Sequence, residues 1–143
     1  MFTRPTIALT LAGAQAAIVA ALAEAEQIGG RFNIAVTDAG GVLVAFARMD
    51  GAFAESGLIA QDKCRTVVRF GGASSDGLYD ALAGEEAVLR GIAQRPGVAA
   101  FGGGVPIVID GELVGAVGAS GGSAAQDKRV ARAGADAVTT PPR

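Results

Sequence analysis

The sequence contains no histidine and only one cysteine, Cys64. Without histidine the chain cannot form a Ser-His-Asp triad, a Cys-His dyad, a histidine general base or a haem site with a proximal histidine. A single thiol cannot form an intrachain disulfide, and without histidine it cannot complete a zinc site of the His/Cys type. Any chemistry must therefore use carboxylates, Lys, Arg, hydroxyl groups, Tyr79, Cys64 or the backbone, and we expect no metal site.

Charge and aromatic side chains are also scarce, at 18% and 5% of the residues, and the formal net charge is −2. Because there is no basic field, we expect neither nucleic acid nor an anionic membrane as a partner. The hydrophobic half of the chain is mostly Ala, Val, Ile and Leu, which predicts thin, close-packed layers. A chain of 143 residues is the usual size of one domain, so we predict a single domain over 1–143 with its core at about 8–138.

The N-terminal region imitates a secretory signal, because an Ala-rich apolar run follows Arg4 and leads to the small residues Ala21-Leu22-Ala23. Thr10 and Gln15 interrupt this run, Thr10 is a helix-capping residue, and the run is too short for a membrane span. We therefore predict a folded helix over 10–28 and a cytoplasmic location.

Turn-forming residues in the rest of the chain predict two β-hairpins among helices. Strands at 32–37 and 42–48 flank the turn Asp38-Ala39-Gly40-Gly41, and strands at 105–109 and 112–120 flank Asp110-Gly111. The other predicted elements are a short strand at 98–101 and helices at 56–70, 76–83, 85–94 and 123–138. This order predicts an α+β fold, in which an antiparallel sheet of about five strands is flanked by helices in a single compact domain.

The predicted helix 10–28 is apolar around most of its circumference. Ala17, Val19 and Ala20 lie outside the stripe that one sheet face requires. Either the helix is deeply buried or it also packs on another subunit, and the sparse charge makes us expect a homo-oligomer.

Two glycine-rich segments invite a functional interpretation. The segment 102–106 has no Lys-Ser/Thr after it and enters a strand, so it is not a phosphate-binding P-loop. The segment 118–122 precedes a helix, where exposed amides with Ser120 and Ser123 can receive a carboxylate or phosphate. The alternative is a tight turn with a capping serine.

The densest group of charged residues follows the first hairpin. The planar guanidinium group of Arg48 suits a carboxylate, and Lys63 offers an ammonium group whose pKa falls if it is buried. Asp50 can orient either cation or transfer a proton. In the alternative, Arg48 pairs with a nearby Asp and Lys63 extends to water. We interpret Cys64 as a buried apolar residue, Tyr79 as a packing residue, and Asp62 and Asp127 as solvated.

Ordered motifs resemble the HbpS/GlcG-like family. They are VTDAGG at 36–41, RMDGA at 48–52, AQDKCRT at 60–66, GGVPI at 103–107 and GASGG at 118–122, followed by Gln126-Asp127. The family includes haem-binding proteins, GlcG-like proteins of glycolate operons and the C-terminal domain of PduO-type adenosyltransferases. The resemblance implies a five-stranded antiparallel sheet with helices and assembly into dimers, tetramers or octamers. Cys64 stands where alanine is usual, and Lys128 where an acidic residue is common.

The resemblance also implies a shared ligand pocket formed by Arg48, Asp50, Lys63, Gly103, Gly104 and Ser120. Two functions follow. In the first, the chain binds an organic acid or a tetrapyrrole whose carboxylates are neutralised by Arg48 and Lys63. In the second, it is a cofactor-independent lyase, isomerase or hydrolase that acts on a small acidic or aromatic catabolite with Lys63 and Asp50 in proton transfer. The resemblance implies haem as a cofactor, and because histidine is absent we expect weak or no specific haem binding.

Overall fold

A computed structural model describes residues 1–139 of the chain. Five helices accompany one four-stranded antiparallel sheet, whose strand order is β2-β1-β4-β3. The elements are α1 (Leu11–Ile28), β1 (Asn33–Asp38), β2 (Leu43–Arg48), α2 (Ala54–Arg69), α3 (Ser75–Leu82), α4 (Glu86–Ala93), β3 (Gly104–Ile109), β4 (Glu112–Ser120) and α5 (Ala124–Thr139). The predicted α+β class and single compact domain are confirmed.

Helices cover both faces of the sheet. Side chains alternate along a strand, so Ile34 and Val36 face α1 and α5, while Ala35 between them faces α2. On the α2 side, Ala60 and Cys64 complete a small second core. The sheet is therefore the middle of three layers, as its apolar strands require.

Helices α1 and α5 pack through small residues. A Cβ added at Gly134 would lie 2.9 Å from the carbonyl oxygen of Ala17, so the two backbones approach too closely for any side chain there. Thr10 caps α1 as expected, since its Oγ1 accepts from the Gly13 amide at 3.0 Å. The inner side of α1 is buried, but Val19 on the outer side is 67% exposed. No helix within residues 1–139 is long and apolar enough to cross a membrane.

Both predicted hairpins are confirmed. Asp38 Oδ1 accepts from the amides of Gly40 and Val42 and holds the β1–β2 turn. Asp110 and Gly111 both have positive φ, 50° and 78°, as a two-residue turn between β3 and β4 requires.

The expectation of about five strands was one too many, because residues 98–101 do not form a strand. The Val98 amide donates to the Arg95 carbonyl in a tight turn, and the Ala99 amide donates to Thr66 Oγ1 on α2 at 2.8 Å. The first bond closes the turn and the second fastens the segment to α2, so neither amide can extend the sheet. Helix α2 also begins at Ala54, two residues before the predicted start.

Candidate functional site

Lys63 lies at the centre of a buried polar cluster between α2, β4 and α5. Its Nζ donates to Asp127 Oδ2 at 2.8 Å and to the Ala119 carbonyl at 2.9 Å, and it lies 4.8 Å from the centroid of the Phe101 ring. The side chain is 0% exposed. Burial lowers the pKa of Lys63, and the hydrogen bond and negative charge of Asp127 partly offset that effect.

Asp127 is the counterion of Lys63, and the interpretation of Asp127 as solvated was wrong, because the residue is only 4% exposed. It lies in the first turn of α5, where the positive end of the helix dipole favours a carboxylate. Its second oxygen accepts from the Gly122 amide at 2.9 Å. Both charges are thus compensated inside the fold, and the alternative in which Lys63 extends to water was also wrong.

The predicted glycines belong to the same cluster. Gly103 has φ +130°, and a Cβ there would lie 2.5 Å from Lys63 Nζ and 2.6 Å from the Ala119 carbonyl oxygen. A Cβ at Gly104 would lie 2.7 Å from the Lys63 carbonyl oxygen, and the Gly104 amide donates to Ser75 Oγ at 2.8 Å. The close approach that the glycines permit is therefore to Lys63.

The segment before α5 is occupied by internal contacts. Besides the bond from the Gly122 amide to Asp127, Ser123 and Gln126 exchange two hydrogen bonds as a capping box. This arrangement favours the tight turn with a capping serine. Ser120 is buried in β4 opposite Asn33 of β1, and Asn33 in turn lies opposite Arg48 of β2.

Arg48 and Asp50 line a different concavity, of about 440 Å³, at the end of β2. The other lining residues are Leu22, Glu26, Arg31, Ala47 and Met49. One strand, β1, separates β2 from β4, which places these two strands roughly 10 Å apart at ordinary strand spacing. The structure thus groups Arg48 with Asp50, and Lys63 with Gly103 and Gly104, in two separate places.

A larger concavity, of about 620 Å³, lies between α3, α4 and the segment 98–101. Its lining residues are Asp76, Tyr79, Asp80, Leu89, Arg90, Ala93, Val98, Ala100 and Phe101. We call this space the α3–α4 cavity. Helix α4 has no buried residue, although Val88, Leu89 and Ile92 recur at helical spacing. That spacing predicts an apolar face on α4, which the interpretation of the sequence above missed.

The wall of the α3–α4 cavity rests on the Lys63 cluster. Phe101 lines the cavity and covers Lys63, and its carbonyl accepts from Ser75 Oγ at 2.6 Å. Asp76 joins α3 to α5 through an ion pair with Lys128 at 2.6 Å. Burial opposes ionisation of Asp76, but hydrogen bonds from Lys128 and Ser74 outweigh it and lower the pKa of Asp76. Tyr79, interpreted as a packing residue, is 48% exposed and lines this cavity.

Cys64 is fully buried, as predicted. Its Sγ lies 3.4 Å from the Ala35 carbonyl oxygen and 3.6 Å from that of Ala116. Burial raises the pKa of the thiol to about 12, so the nucleophilic thiolate does not form near neutral pH. Within residues 1–139 no group of three Cys, Asp or Glu side chains is placed to hold a metal ion.

Comparison with known proteins places the chain in a family. The family model described as haem degrading protein HbpS-like matches residues 9–136. Protein GlcG of Escherichia coli K12 is 38% identical over 110 residues, which cover 75% of this chain and 77% of GlcG.

Solved structures agree with this placement. ORFY of Klebsiella pneumoniae has a TM-score of 0.89 at 28% identity and covers 99% of both chains. A double mutant of Streptomyces reticuli HbpS has a TM-score of 0.82 at 31% identity and covers 93% of this chain and 88% of that one. A complex of PduOC with haem has a TM-score of 0.84 at 30% identity and covers 92% of this chain and 95% of that one. This chain belongs to the HbpS-like family.

Proposed function

We propose that this chain binds a planar, largely apolar small molecule that carries carboxylates, of the tetrapyrrole or aromatic-acid type, in the α3–α4 cavity. The observation that carries the proposal is the volume of about 620 Å³ with mainly apolar lining. Small-molecule sites are concave, mostly apolar spaces of about 300–1,000 Å³ with a few polar groups. The family description and the haem complex of PduOC support the tetrapyrrole class.

The residues that line the α3–α4 cavity supply apolar surface for the ring system and a cation for a carboxylate. Leu89, Val98 and Phe101 offer apolar surface to a ring system, and Lys63 and Ser75 hold Phe101 from behind. Arg90 supplies a cation for a carboxylate at the rim. Its present partner is Glu86 at 2.7 Å, and both side chains are more than 70% exposed. Such exposed pairs contribute little, so Arg90 can exchange Glu86 for a ligand at small cost.

The cavity offers apolar surface to the haem macrocycle but few side chains that could ligate the haem iron. The side chains that hold haem iron in proteins are His, Cys, Met and Tyr, and of these Tyr79 alone lines the cavity. Cys64 lies in the core, and Met49, whose Sδ accepts from the Phe32 amide, lines the separate concavity beside β2. When bound, haem would supply a redox-active iron, which Tyr79 would be the lining residue able to hold, while the apolar lining residues would enclose the ring.

Titration with haemin and with metal-free protoporphyrin IX tests the proposal. The absence of histidine predicts that the iron adds little affinity, so we expect weak, saturable binding of both, with Kd values within about tenfold of each other, a difference of about 1.4 kcal/mol or less. Ala93→Phe fills the cavity and should weaken both at least about tenfold, whereas Ala87→Phe is the matched control on the exposed side of α4. No saturable binding, or equal effects of the two variants, would overturn the proposal.

A binding role has better support than the lyase, isomerase or hydrolase role. Lys63 Nζ is enclosed by Ala119, Asp127 and Phe101, whereas Asp50 lies beyond β1 in the other concavity. Proton transfer needs acid and base within hydrogen-bond reach of one substrate. The separation of these two residues gives that role no shared substrate position.

We also propose that the protein is a homo-oligomer whose subunits associate through α1 and β2. Strand β2 is at an edge of the sheet, and a groove between it and α1 is lined by the exposed apolar residues Leu11, Val19 and Phe46 together with Val44 and Ala45. Light scattering should give a multiple of 14.1 kDa, and a monomer mass at micromolar concentration would refute self-association. Val19→Glu should dissociate the assembly, while Val108→Glu on the opposite edge strand should not.

A further inference from the structure

Three arginines line a third concavity, of about 220 Å³, beside the C-terminal end of α2. They are Arg65 and Arg69, one turn apart on α2, and Arg95 from the segment after α4. The remaining lining residues are Thr66, Phe70, Pro96, Gly97 and Val98, and no Asp or Glu of residues 1–139 is among them. The nearest carboxylate is that of Asp62, whose Oδ1 would lie 3.9 Å from a Cβ at Gly97. In a chain whose formal net charge is −2, this is a local concentration of positive charge. We call it the arginine concavity.

The backbone around the arginine concavity is firmly held. Pro96 and Gly97 form a turn closed by the hydrogen bond from Val98 to Arg95, with Gly97 at φ +79° as a type II turn requires. The buried bond from the Ala99 amide to Thr66 Oγ1 fastens that turn to α2. The backbone on this side of the concavity is therefore fixed.

The first hairpin contacts the side chains of two of these arginines, although none of its residues lines the concavity. Gly41, at φ +82°, brings its backbone against Arg65 and Arg69, so that an added Cβ would lie 3.3 Å from Arg65 Cγ and 3.4 Å from Arg69 Nε. Three separate segments of the chain thus hold the arginine stems.

The charges are only partly compensated. Arg65 pairs with Asp62, but within residues 1–139 no salt bridge forms at Arg69 or Arg95. The position of Arg69 in the last turn of α2 suits the helix dipole, which accounts for that residue but not for Arg95. Arg95 therefore has neither an ion-pair partner in residues 1–139 nor a helix dipole to compensate its charge.

We propose that the arginine concavity binds a small oxyanion, either a carboxylate or a phosphate group, between the guanidinium groups of Arg69 and Arg95, with Arg65 completing one side. Guanidinium groups offer paired N–H donors whose geometry matches both kinds of oxyanion. The volume admits one such group with a small substituent, and is about a third of that of the α3–α4 cavity. This site is separate from the tetrapyrrole proposal.

Calorimetric titration of the full chain with inorganic phosphate and with citrate, at ionic strength fixed by NaCl, tests the site. The variant Arg69→Gln/Arg95→Gln should weaken the tighter anion at least about tenfold. The control Arg4→Gln/Arg132→Gln removes the same charge from exposed positions elsewhere and should leave the affinity within about twofold. The stronger of the two anions identifies phosphate or carboxylate as the recognised group.

Two outcomes would overturn the inference. One is no saturable binding of either anion by the unaltered chain, and the other is an equal loss in both double variants, which would mean a diffuse charge effect. Circular dichroism of each variant checks folding, and protoporphyrin titration of Arg69→Gln/Arg95→Gln should remain unchanged because that ligand occupies a different cavity. Failure of either proposal thus leaves the other measurable.

Discussion

Replacement of Asp127 by alanine should destabilise the protein severely. The change leaves the Lys63 ammonium buried, with the Ala119 carbonyl as its remaining hydrogen-bond acceptor and the Phe101 ring at 4.8 Å. Removal of one partner from a buried ion pair typically costs about 3–5 kcal/mol, because the remaining charge is uncompensated. We expect a loss in that range for Asp127→Ala.

The reverse change, Lys63→Met, should cost less, about 1–3 kcal/mol. Asp127 would keep the hydrogen bond from Gly122 and the positive end of α5, and its oxygens would lose one donor. Lys63→Met/Asp127→Leu replaces the pair by apolar side chains and should be more stable than Asp127→Ala, since such replacements are often neutral or favourable.

The cost of Asp127→Ala should also shrink as pH rises. Burial lowers the pKa of Lys63 from 10.5, and removal of Asp127 also removes the interactions that offset it. Between the folded pKa and 10.5 the unfolded chain binds more protons, so the stability of the variant increases with pH in that window. In Lys63→Met/Asp127→Leu this increase should be absent.

Urea unfolding followed by circular dichroism measures these differences at one protein concentration, which must be held constant because self-association changes apparent stability. A loss below about 1 kcal/mol for Asp127→Ala, the range of an exposed pair, would refute the reasoning. If Lys63→Met were equally harmless and also weakened ligand binding, Lys63 would be a ligand-binding residue as the sequence analysis predicts.

Three further predictions follow from single residues. Gly103→Ala should cost at least about 2 kcal/mol in urea unfolding, because the methyl group would meet Lys63 Nζ and Ala119 in a backbone conformation of φ +130°; Gly84→Ala, with no atom within 4 Å of the added carbon, is the control. Cys64 should react with a thiol reagent only at the rate of global unfolding at pH 7, since its thiol is buried with a pKa of about 12, and fast labelling of the native protein would contradict this. Arg48→Gln should change stability by less than about 0.5 kcal/mol because Arg48 is exposed; a tenfold loss of porphyrin affinity would assign the carboxylate site to Arg48 and not to Arg90.

Local features could be predicted from the sequence because their causes lie within a few residues. The Thr10 cap, the Asp38 and Asp110 turns and the apolar stripe that buries Cys64 each depend on neighbours close in the chain. The absence of histidine likewise excluded histidine-dependent catalytic and haem sites from the sequence alone. Ordered motifs also indicated the family, which the comparisons confirm.

Tertiary structure decided what each charged or apolar group meets. Lys63 and Asp127 are 64 positions apart, so the sequence showed two charges of opposite sign but not that packing would bury them together. Residues 98–101 have the composition of a strand, yet the Thr66 hydroxyl from α2 captures their backbone. The α3–α4 cavity exists because α4 packs on α3 and leaves its apolar face uncovered. Charge compensation, hydrogen-bond competition and empty volume are properties of long-range contacts, and local sequence does not contain them.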